Sequence, residues 1–341
     1  MSFESLKQTL ANESKTWLVT GAAGFIGSHL VECLLHLKQQ VVAIDNFSTG
    51  SRATLDAIAK SVGTETFSDR FRFVEADISD FDACQAVCQD ADYVLHHAAL
   101  SSVPLSLDDP LASYASNVSG SLNLMRASQQ ARVKRFVYAS SSAVYGDHPA
   151  LPNREPQTGR QLSPYAVGKY ACELYARNFF DCYQLETIGL RYFNIFGPRQ
   201  SEQGAYAAVI PCFVRNILDD VPIEIFGDGK SSRDFCYIDN VIQANLLSAL
   251  TDSSESLGQV FNVSCGEQIS ILQLYQSIKR YLDANYPEMV VHEAVHRDFR
   301  PGEVRHSFGD ISKLSATMGY RPSHFFADGL AETLDWYLSS R

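Results

Sequence analysis

The chain has 341 residues and a formal net charge of −11, with 45% hydrophobic and 20% charged residues. This balance is typical of a globular protein with a sizeable core, and the acidic excess argues against binding to nucleic-acid phosphates. No apolar run approaches the roughly 20 residues of a membrane-spanning helix. Residues 1–15 are polar and carry no apolar signal stretch, so we expect a cytoplasmic protein. The eight cysteines show neither Cys-x-x-Cys nor zinc-like spacing with histidine, which predicts reduced thiols and no metal site.

The first half of the chain alternates short apolar strands with longer helical patterns. The predicted strands are Thr16–Thr20, Val41–Asp45, Phe71–Asp77, Tyr93–Ala99, Arg135–Ser141 and Thr187–Tyr192. The predicted helices are Phe25–Lys38, Ala53–Val62, Asp82–Gln89, Leu111–Ala131 and Tyr165–Tyr183. This alternation predicts βαβ units, and near-continuous apolar strands are typical of parallel strands buried on both faces. We therefore expect an α/β fold with a doubly wound, Rossmann-type parallel sheet.

Three glycines directly follow the first strand in the pattern G-x-x-G-x-x-G and open the next helix. Gly21 permits a tight turn, Gly24 lets a pyrophosphate approach the backbone, and Gly27 lets helix and strand pack closely. The helix N-terminus offers free N–H groups to phosphate. Asp45 ends the second strand, where a carboxylate accepts both hydroxyls of the adenosine ribose and repels a 2′-phosphate, so NAD is favoured over NADP.

Further residues of a dinucleotide site follow the third and fourth strands. Asp77, before Ile78, lies where a carboxylate reaches the adenine amino group, although a role in a turn is equally compatible with the sequence. The small pair Ala98 and Ala99 suits close approach of the backbone to a dinucleotide. We assign no chemical role to the histidines at positions 96 and 97, because strand histidines are more often packed than catalytic.

Tyr165 and Lys169 are four residues apart and share one face of a predicted helix. A free tyrosine, with a pKa of about 10, is a poor base at neutral pH. A neighbouring ammonium, together with an oxidised nicotinamide, would lower that pKa. Ser141 is the last residue of the fifth strand, where its hydroxyl is placed to hydrogen-bond the substrate hydroxyl from which Tyr165 would take a proton. Ser141, Tyr165 and Lys169 are therefore the predicted catalytic residues.

The pattern becomes less regular after about Asn194, where Gly and Pro separate short elements. A predicted helix, Asn240–Leu250, and a predicted strand, Val260–Val263, resume the earlier pattern. We divide the chain into an NAD-binding Rossmann domain, residues 1–193 with a return segment near 235–264, and a mainly substrate-binding α/β region, residues 194–341. The smaller region is expected over the carboxyl ends of the strands, where Rossmann folds bind ligands.

Over nearly its whole length the chain resembles the extended short-chain dehydrogenase/reductase family, in particular its UDP-hexose 4-epimerases and among them the UDP-N-acetylglucosamine 4-epimerases. The motifs that carry the resemblance are Thr20–Gly27, Asp45-Asn46, His97-Ala98-Ala99, Ser140-Ser141-Ser142 with Val144-Tyr145-Gly146, Tyr165–Lys169 and Arg191–Gly197. Dehydratases and decarboxylases of this family carry an acidic residue shortly before Val-Tyr-Gly. Here that stretch is Ser141-Ser142-Ala143, without a carboxylate, which favours epimerisation.

The resemblance implies a mechanism. Tyr165 takes the proton of the hexose 4-hydroxyl while a hydride passes from carbon 4 to NAD⁺. The 4-keto sugar turns about its diphosphate tether, and the hydride returns to its other face, so that NAD stays bound through turnover. Lys169 holds the cofactor ribose and lowers the pKa of Tyr165, and Ser141 orients the hydroxyl.

The resemblance also implies the remaining site residues. The additional cofactor-binding residues are Phe25, Ile26, Asn46, Gly50, Ile78, Asn117 and Tyr192. The substrate-binding residues are Ser102, Ser141, Ser142, Tyr165, Asn194, Ala208, Val209, Arg233, Arg300, Glu303 and Ser307. Arg233 and Arg300 would bind the diphosphate, and Asn194 would lie near it. Glu303, where the family usually has Asp, would accept hydroxyls of the uridine ribose.

Two features bear on the sugar. Ser307 stands where strict UDP-galactose 4-epimerases carry a bulky Tyr, and a small side chain leaves room for a 2-N-acetyl group. Segments 101–104 and 204–211 resemble epimerases that prefer N-acetylated sugars, although Ser101 replaces their Gly. The leading hypothesis is thus a UDP-GlcNAc/UDP-GalNAc 4-epimerase. Arg305 and His306 keep a UDP-N-acetylhexosaminuronate 4-epimerase open as a second hypothesis.

The sequence is also compatible with a net oxidoreductase or dehydratase of the same fold and with a non-catalytic NAD-binding protein. The retained Ser141, Tyr165 and Lys169 argue against the non-catalytic protein. The resemblance further implies a homodimer that pairs the helices Leu111–Ala131 and Tyr165–Tyr183 of each subunit. Leu122, Phe179 and Phe180 are the outward apolar candidates there, although the same residues are also compatible with the core.

Overall fold

The computed structural model describes residues 3–201, 208–299 and 304–339. These residues form a seven-stranded sheet of order β3-β2-β1-β4-β5-β6-β11, in which every neighbouring pair is parallel. The strands of this sheet are β1 (Thr16–Thr20), β2 (Gln40–Asp45), β3 (Phe71–Glu75), β4 (Tyr93–His96), β5 (Arg135–Ser141), β6 (Thr187–Tyr192) and β11 (Gln259–Val263). The strand order reverses between β1 and β4, so the predicted doubly wound Rossmann-type fold is confirmed.

The described helices connect and cover these strands. They are α1 (Phe3–Asn12), α2 (Phe25–His36), α3 (Arg52–Val62), α4 (Thr64–Arg70), α5 (Phe81–Cys88), α6 (Val103–Asp108), α7 (Pro110–Tyr114), α8 (Ser121–Gln130), α9 (Pro164–Tyr183), α10 (Val209–Leu218), α11 (Ile238–Leu250), α12 (Ile271–Asn285), α13 (Ser312–Met318) and α14 (Phe326–Ser339). Alternate residues of β1 enter different hydrophobic clusters: Trp17 and Val19 join one, and Leu18 joins the other. Because successive strand side chains point to opposite faces, each face of the sheet has its own core. None of the described helices is long and apolar enough to cross a membrane.

The second half adds three short strand pairs beside the main sheet. They are β7 (Asn194–Phe196) with β10 (Phe235–Tyr237), β9 (Ser232–Arg233) with β12 (Ile269–Ser270), and β8 (Glu224–Phe226) with β13 (Val295–Arg297). The predicted late strand and helix are present as β11 and α11, and β11 joins the main sheet beside β6. After β10 the chain therefore returns to the main sheet at β11.

The N-termini of α9 and α2 are capped in different ways. At α9, the Ser163 hydroxyl accepts the N–H of Ala166 and Pro164 occupies the first turn, so capping and proline geometry fix where the helix begins. At α2 the capping residue is Gly24, which has no side chain to satisfy the first N–H groups. Those groups remain free for a ligand.

Several predicted boundaries were wrong. The third and fourth strands end at Glu75 and His96, because the chain leaves the sheet there to line a cavity. The predicted helix Leu111–Ala131 is interrupted by a π-helical turn over residues 115–120, between α7 and α8. The backbone carbonyl of Asn117 in this turn accepts the Ser121 hydroxyl at 2.7 Å and the Cys172 thiol at 2.9 Å. Side chains thus replace part of the α-helical bonding, as is common in π-turns near functional sites.

The predicted outward residues were also wrong. Phe179 is buried in the core beneath α9, and Leu122 is half-buried against the same cluster. Phe180 is half-buried, with the Arg177 guanidinium over its ring. The exposed apolar side chains on or beside these helices instead include Val103, Leu105, Leu107, Leu111, Tyr114, Val167, Leu174, Tyr175 and Tyr183.

Candidate active site

A cavity of about 310 Å³ lies at the carboxyl ends of the strands where the strand order reverses. It is lined by most of the residues predicted to bind the cofactor. These are Gly21, Gly24, Phe25, Ile26, Gly27, Asp45, Asn46, Asp77, Ile78, Ala98, Ala99, Tyr165, Lys169 and Tyr192. Residues spread over about 170 positions of sequence therefore meet because parallel strands present their carboxyl ends at one edge.

The glycine turn fits a dinucleotide pyrophosphate. Gly21 has a φ of +68°, a conformation that other residues rarely adopt. A Cβ on Gly27 would lie 2.1 Å from the carbonyl oxygen of Gly21, so only glycine permits this approach of helix to turn. The turn therefore keeps the start of α2 open and close to the cavity, as phosphate binding to N–H groups requires.

Carboxylates line the adenosine end. The two oxygens of Asp45 accept the N–H groups of Ala23, at 2.9 Å, and Phe47, at 2.7 Å. Each carboxylate oxygen has a further lone pair, so Asp45 can still accept ribose hydroxyls. Asp77 accepts the Asn46 amide at 2.6 Å. Burial would raise the pKa of Asp77, but hydrogen bonds from Ser79 and Asn46 outweigh it and hold the pKa below its ordinary value.

Two predicted cofactor residues lie behind the wall of this cavity. A Cβ on Gly50 would lie 2.6 Å from the carbonyl carbon of Ala23, so Gly50 lets its loop pack on the glycine turn. The Asn117 side chain accepts the N–H of Leu100 at 2.8 Å and donates to its carbonyl at 3.0 Å. Asn117 therefore fixes the loop that follows Ala99.

The three predicted catalytic residues meet in the same cavity. Ser141 ends β5, Tyr165 lies in the first turn of α9, and Lys169 lies one turn later; both α9 side chains are buried. The Ser141 hydroxyl accepts the N–H of Ala143 at 3.1 Å and lies close enough to the Tyr165 hydroxyl to act on its pKa. The Lys169 ammonium donates to the backbone carbonyl of Ala139 at 2.8 Å.

Without a cofactor, burial controls the protonation of Tyr165 and Lys169. Burial raises the pKa of Tyr165, and the hydrogen bond to Ser141 offsets only part of that increase. Burial lowers the pKa of Lys169. The protein by itself thus keeps Tyr165 protonated at neutral pH. A lowered Tyr165 pKa stays a prediction for the protein with oxidised cofactor.

The two neighbouring histidines have packing roles. The ring of His96 bonds to the hydroxyls of Thr20 and Ser121, both at 2.8 Å. His97 lines the cavity, and its Nε2 bonds to the Tyr192 hydroxyl at 2.9 Å. Burial lowers the pKa of His97 to about 3, so the imidazole is neutral. The Tyr192 hydroxyl is thereby engaged within the protein, and its ring forms the wall.

A second cavity, of about 650 Å³, adjoins the first, with Ile195 and Gln200 lining both. The predicted substrate residues Asn194, Ala208, Val209 and Arg233 line it. Arg215, Arg297 and Glu224 also line it, and three guanidinium groups against one carboxylate favour an anionic ligand. The Arg233 guanidinium donates to the carbonyls of Ser232 and Arg305, which fixes its direction.

Three more predicted substrate residues lie away from these walls. Ser102, Ser142 and Ser307 are not among the described residues that line the two cavities. Ser102 instead caps α6 by accepting the N–H of Leu105, and Ser142 begins a 3-10 turn after β5. The N–H of Ser307 donates to Ser232 beside β9, at 3.1 Å. Arg300 and Glu303 lie outside the described residues.

Some lining residues were not predicted. Ser48, Thr49, Ser101, Ser116, Phe193, Ile195 and Gln200 line the first cavity, and Arg215, Phe226 and Arg297 line the second. Arg297 had a signal, because it stands three residues before the predicted phosphate ligand Arg300. Gln200 had none, since its position depends on the turn after Gly197 and on the left-handed φ of Arg199.

Comparisons with known proteins agree with this geometry. The sequence profile of the NAD dependent epimerase/dehydratase family matches residues 17–264. UDP-glucose 4-epimerase of Mycolicibacterium smegmatis is 34% identical over 94% of this chain and 97% of its own. The solved structure of a UDP-N-acetylglucosamine 4-epimerase from Methanobrevibacter ruminantium, in complex with UDP-N-acetylmuramic acid, is 38% identical. It covers 96% of this chain and 100% of its own with a TM-score of 0.87. A UDP-glucuronic acid 4-epimerase from Bacillus cereus, with UDP-glucuronic acid and NAD, is 31% identical, covers 96% of this chain and 100% of its own, and has a TM-score of 0.84.

Proposed function

The chain belongs to the NAD-dependent epimerase/dehydratase family and is an epimerase that uses NAD, and from this premise we propose that it interconverts UDP-GlcNAc and UDP-GalNAc by inverting carbon 4. The observation that carries the proposal is the pair of adjoining cavities. The first combines a dinucleotide cradle with Ser141, Tyr165 and Lys169, and the second is lined by guanidinium groups. A nucleotide sugar whose diphosphate lies among the arginines would bring its hexose to the shared wall beside Tyr165.

The glycine turn and Asp45 would hold NAD, with Lys169 at its nicotinamide ribose. When bound, NAD supplies the acceptor and donor of the hydride. Tyr165 exchanges the proton of the 4-hydroxyl, first as base and then as acid. Ser141, whose hydroxyl lies near that of Tyr165, aligns the 4-hydroxyl of the sugar. Burial of Tyr165 and Lys169 limits the access of water to the reacting groups, which protects a keto sugar from side reactions.

The proposed preference for N-acetylated sugars is supported by the small side chain of Ser307. Ser307 does not line either described cavity, but its N–H donates to the carbonyl of Ser232, the residue before Arg233 in β9, at 3.1 Å. A uronate substrate has less support, because its candidate ligands are already engaged. Arg305 pairs with Asp228 at 2.5 Å, and His306 bonds to the Ser232 hydroxyl at 2.8 Å.

Proton NMR of the purified protein with UDP-GlcNAc and no added NAD tests the proposal. We expect UDP-GalNAc to form, which would establish the reaction, the tolerance for N-acetyl and the retained cofactor together. No conversion after NAD is added, with conversion of the corresponding uronate, would replace the proposed substrate. Failure with UDP-glucose and UDP-glucuronate as well would overturn 4-epimerisation.

The exposed apolar side chains beside α7 and α9 support a second proposal, a homodimer. Leu111, Tyr114 and Leu174 are exposed there, and monomeric proteins rarely leave large contiguous apolar patches open to water. Light scattering coupled to size-exclusion chromatography should give twice the chain mass. Leu111→Glu with Leu174→Glu should give the mass of one chain, and the same mass as wild type would contradict this interface.

A further inference from the structure

A buried ion pair lies directly behind the catalytic residues. The side chains of Arg191 and Glu173 are 3% and 6% exposed. They form two parallel hydrogen bonds, from Nε to Oε1 at 2.8 Å and from Nη2 to Oε2 at 2.7 Å. Removing two charges from water costs free energy that their attraction only partly offsets, so such a pair is not in itself a source of stability. Its position requires another explanation.

The pair is bonded to the strand that carries the catalytic serine. Three consecutive residues at the end of β5 are each tied to α9. The Ala139 carbonyl accepts the Lys169 ammonium at 2.8 Å, and the Ser141 hydroxyl lies near that of Tyr165. Between them, the Ser140 hydroxyl donates to Oε1 of Glu173 at 2.5 Å. Ser140 therefore contacts the ion pair. Its two neighbours, Ala139 and Ser141, face the catalytic side chains instead.

The same network extends to the substrate side. The Arg191 guanidinium donates to the Glu155 carbonyl at 3.0 Å and lies 4.8 Å from the centre of the Tyr145 ring. The Tyr145 hydroxyl donates to Asn262 at 2.6 Å, and the amide of Asn262 donates to the carbonyl of Asp310 at 3.1 Å. Asp310 follows Ser307 by three residues. A continuous set of buried bonds thus joins α9, β5, β6 and the segment after Ser307.

We propose that Glu173 is a positioning residue: held by Arg191, it fixes the end of β5 against α9 so that Ser141, Tyr165 and Lys169 face the reacting carbon in one geometry. The proposal rests on the proposed catalytic roles of those three residues. A shift of the strand against the helix would leave the cofactor and diphosphate cavities in place. It would move the serine hydroxyl away from the tyrosine, which affects the chemical step and not binding.

Two variants separate positioning from stability. Ser140→Ala keeps the ion pair and removes its bond to the strand. The double variant Glu173→Leu/Arg191→Met replaces the pair by apolar side chains, a change that proteins often tolerate. Glu186→Gln is the matched control, because Glu186 pairs with Arg135 at the other end of β5, with Nε to Oε2 at 2.9 Å.

Rates are measured with whichever UDP-sugar the wild type epimerises, per mole of NAD-loaded protein. We expect both variants to lower kcat by about 10- to 100-fold, with KM within about twofold, bound NAD unchanged and the control at the wild-type rate. Wild-type kcat in both variants, with only the melting temperature changed, would show a purely structural role. A crystal structure of the double variant gives an answer that does not depend on the substrate. A Ser141 hydroxyl that has moved away from Tyr165 relative to a wild-type crystal structure supports the proposal, and an unchanged separation overturns it.

Discussion

The two cavities are lined by different kinds of chemical group. The cofactor cavity is formed by main-chain turns such as Gly21–Gly27 and by buried side chains on the central sheet. The adjoining cavity has its charged groups near solvent: the side chains of Arg297 and Glu224 are 54% and 45% exposed, and they pair at 2.7 Å. Exposed ion pairs contribute little stability and exchange partners easily. Under the proposed function, the cofactor retained through turnover would be held by the fold, and the UDP-sugar that must leave would be held by side chains.

The largest expected effect is at the centre of the first cavity. Tyr165→Phe removes the proton-transferring hydroxyl and keeps the ring, so kcat should fall by about 10²- to 10⁴-fold while NAD stays bound. Initial rates at saturating UDP-sugar and the absorbance of bound cofactor measure both. Tyr175→Phe, an exposed tyrosine on the same helix, is the control. Near-normal activity of Tyr165→Phe would remove Tyr165 from the mechanism.

The next effect tests whether the backbone forms the cofactor site. In Gly27→Ala the new methyl group would overlap the Gly21 carbonyl, so we expect a destabilisation of about 1–3 kcal/mol and a protein purified without NAD. Gly24→Ala places its methyl group 3.2 Å from the same oxygen, so we expect a smaller loss of stability. Its NAD content should also fall, because the pyrophosphate is predicted to approach the backbone at Gly24. Thermal unfolding distinguishes the two variants, and cofactor content tests the cofactor site in both. Full NAD content in Gly27→Ala would contradict the fit we describe.

A smaller effect is expected in the second cavity. Arg233→Met removes a charged donor, and the loss of about 1.5–3 kcal/mol of binding free energy should raise KM about 10- to 100-fold. Bound NAD should not change, because Arg233 does not line the first cavity. Arg280→Met, at an exposed position on α12, is the matched control. An unchanged KM would exclude Arg233 from the diphosphate site.

Ser307→Tyr tests the sugar preference alone. The larger side chain should reduce kcat/KM for UDP-GlcNAc about tenfold more than for UDP-glucose. Parallel progress curves with the two sugars give this ratio directly. An equal reduction for both sugars would place Ser307 away from the 2-position of the sugar.

A separate effect concerns the stability in acid of the half of the chain that carries the glycine turn. Burial lowers the pKa of His29 on α2 to about 3, from an ordinary value of 6.5. Below about pH 6.5 the unfolded chain binds a proton that the folded chain does not, so the free energy of unfolding should fall by up to about 1.4 kcal/mol per pH unit until about pH 3. Denaturant unfolding of His29→Gln across this range should show a shallower fall than wild type. The exposed His296→Gln serves as control, and equal slopes in all three proteins would contradict a neutral His29.

The residues that could be predicted were those whose role depends on local sequence. The glycine turn, Asp45 and the pair Tyr165 and Lys169 each lie beside a strand end or on one helix face, and the structure brings them into one cavity. Gln200 could not be predicted, because it reaches the cavities through the left-handed backbone at Arg199. Arg215 could not be predicted, because the second cavity is formed by segments far apart in the chain. Phe179 was misplaced for the same reason: its apolar character fits a core and an interface equally well, and only packing decides between them.

The π-helical turn over residues 115–120 changes the helical phase of the residues that follow it. In an uninterrupted helix Leu111 and Met125 would be separated by about four turns, and Tyr114 and Met125 by about three, so all three would share one face. Instead Leu111 and Tyr114 are 79% and 59% exposed, while Met125 is fully buried. The wider turn changes the phase of the helix, and a single apolar repeat is divided between two surfaces. Deleting one residue from this turn should restore the phase and draw the outer half of the repeat towards the core.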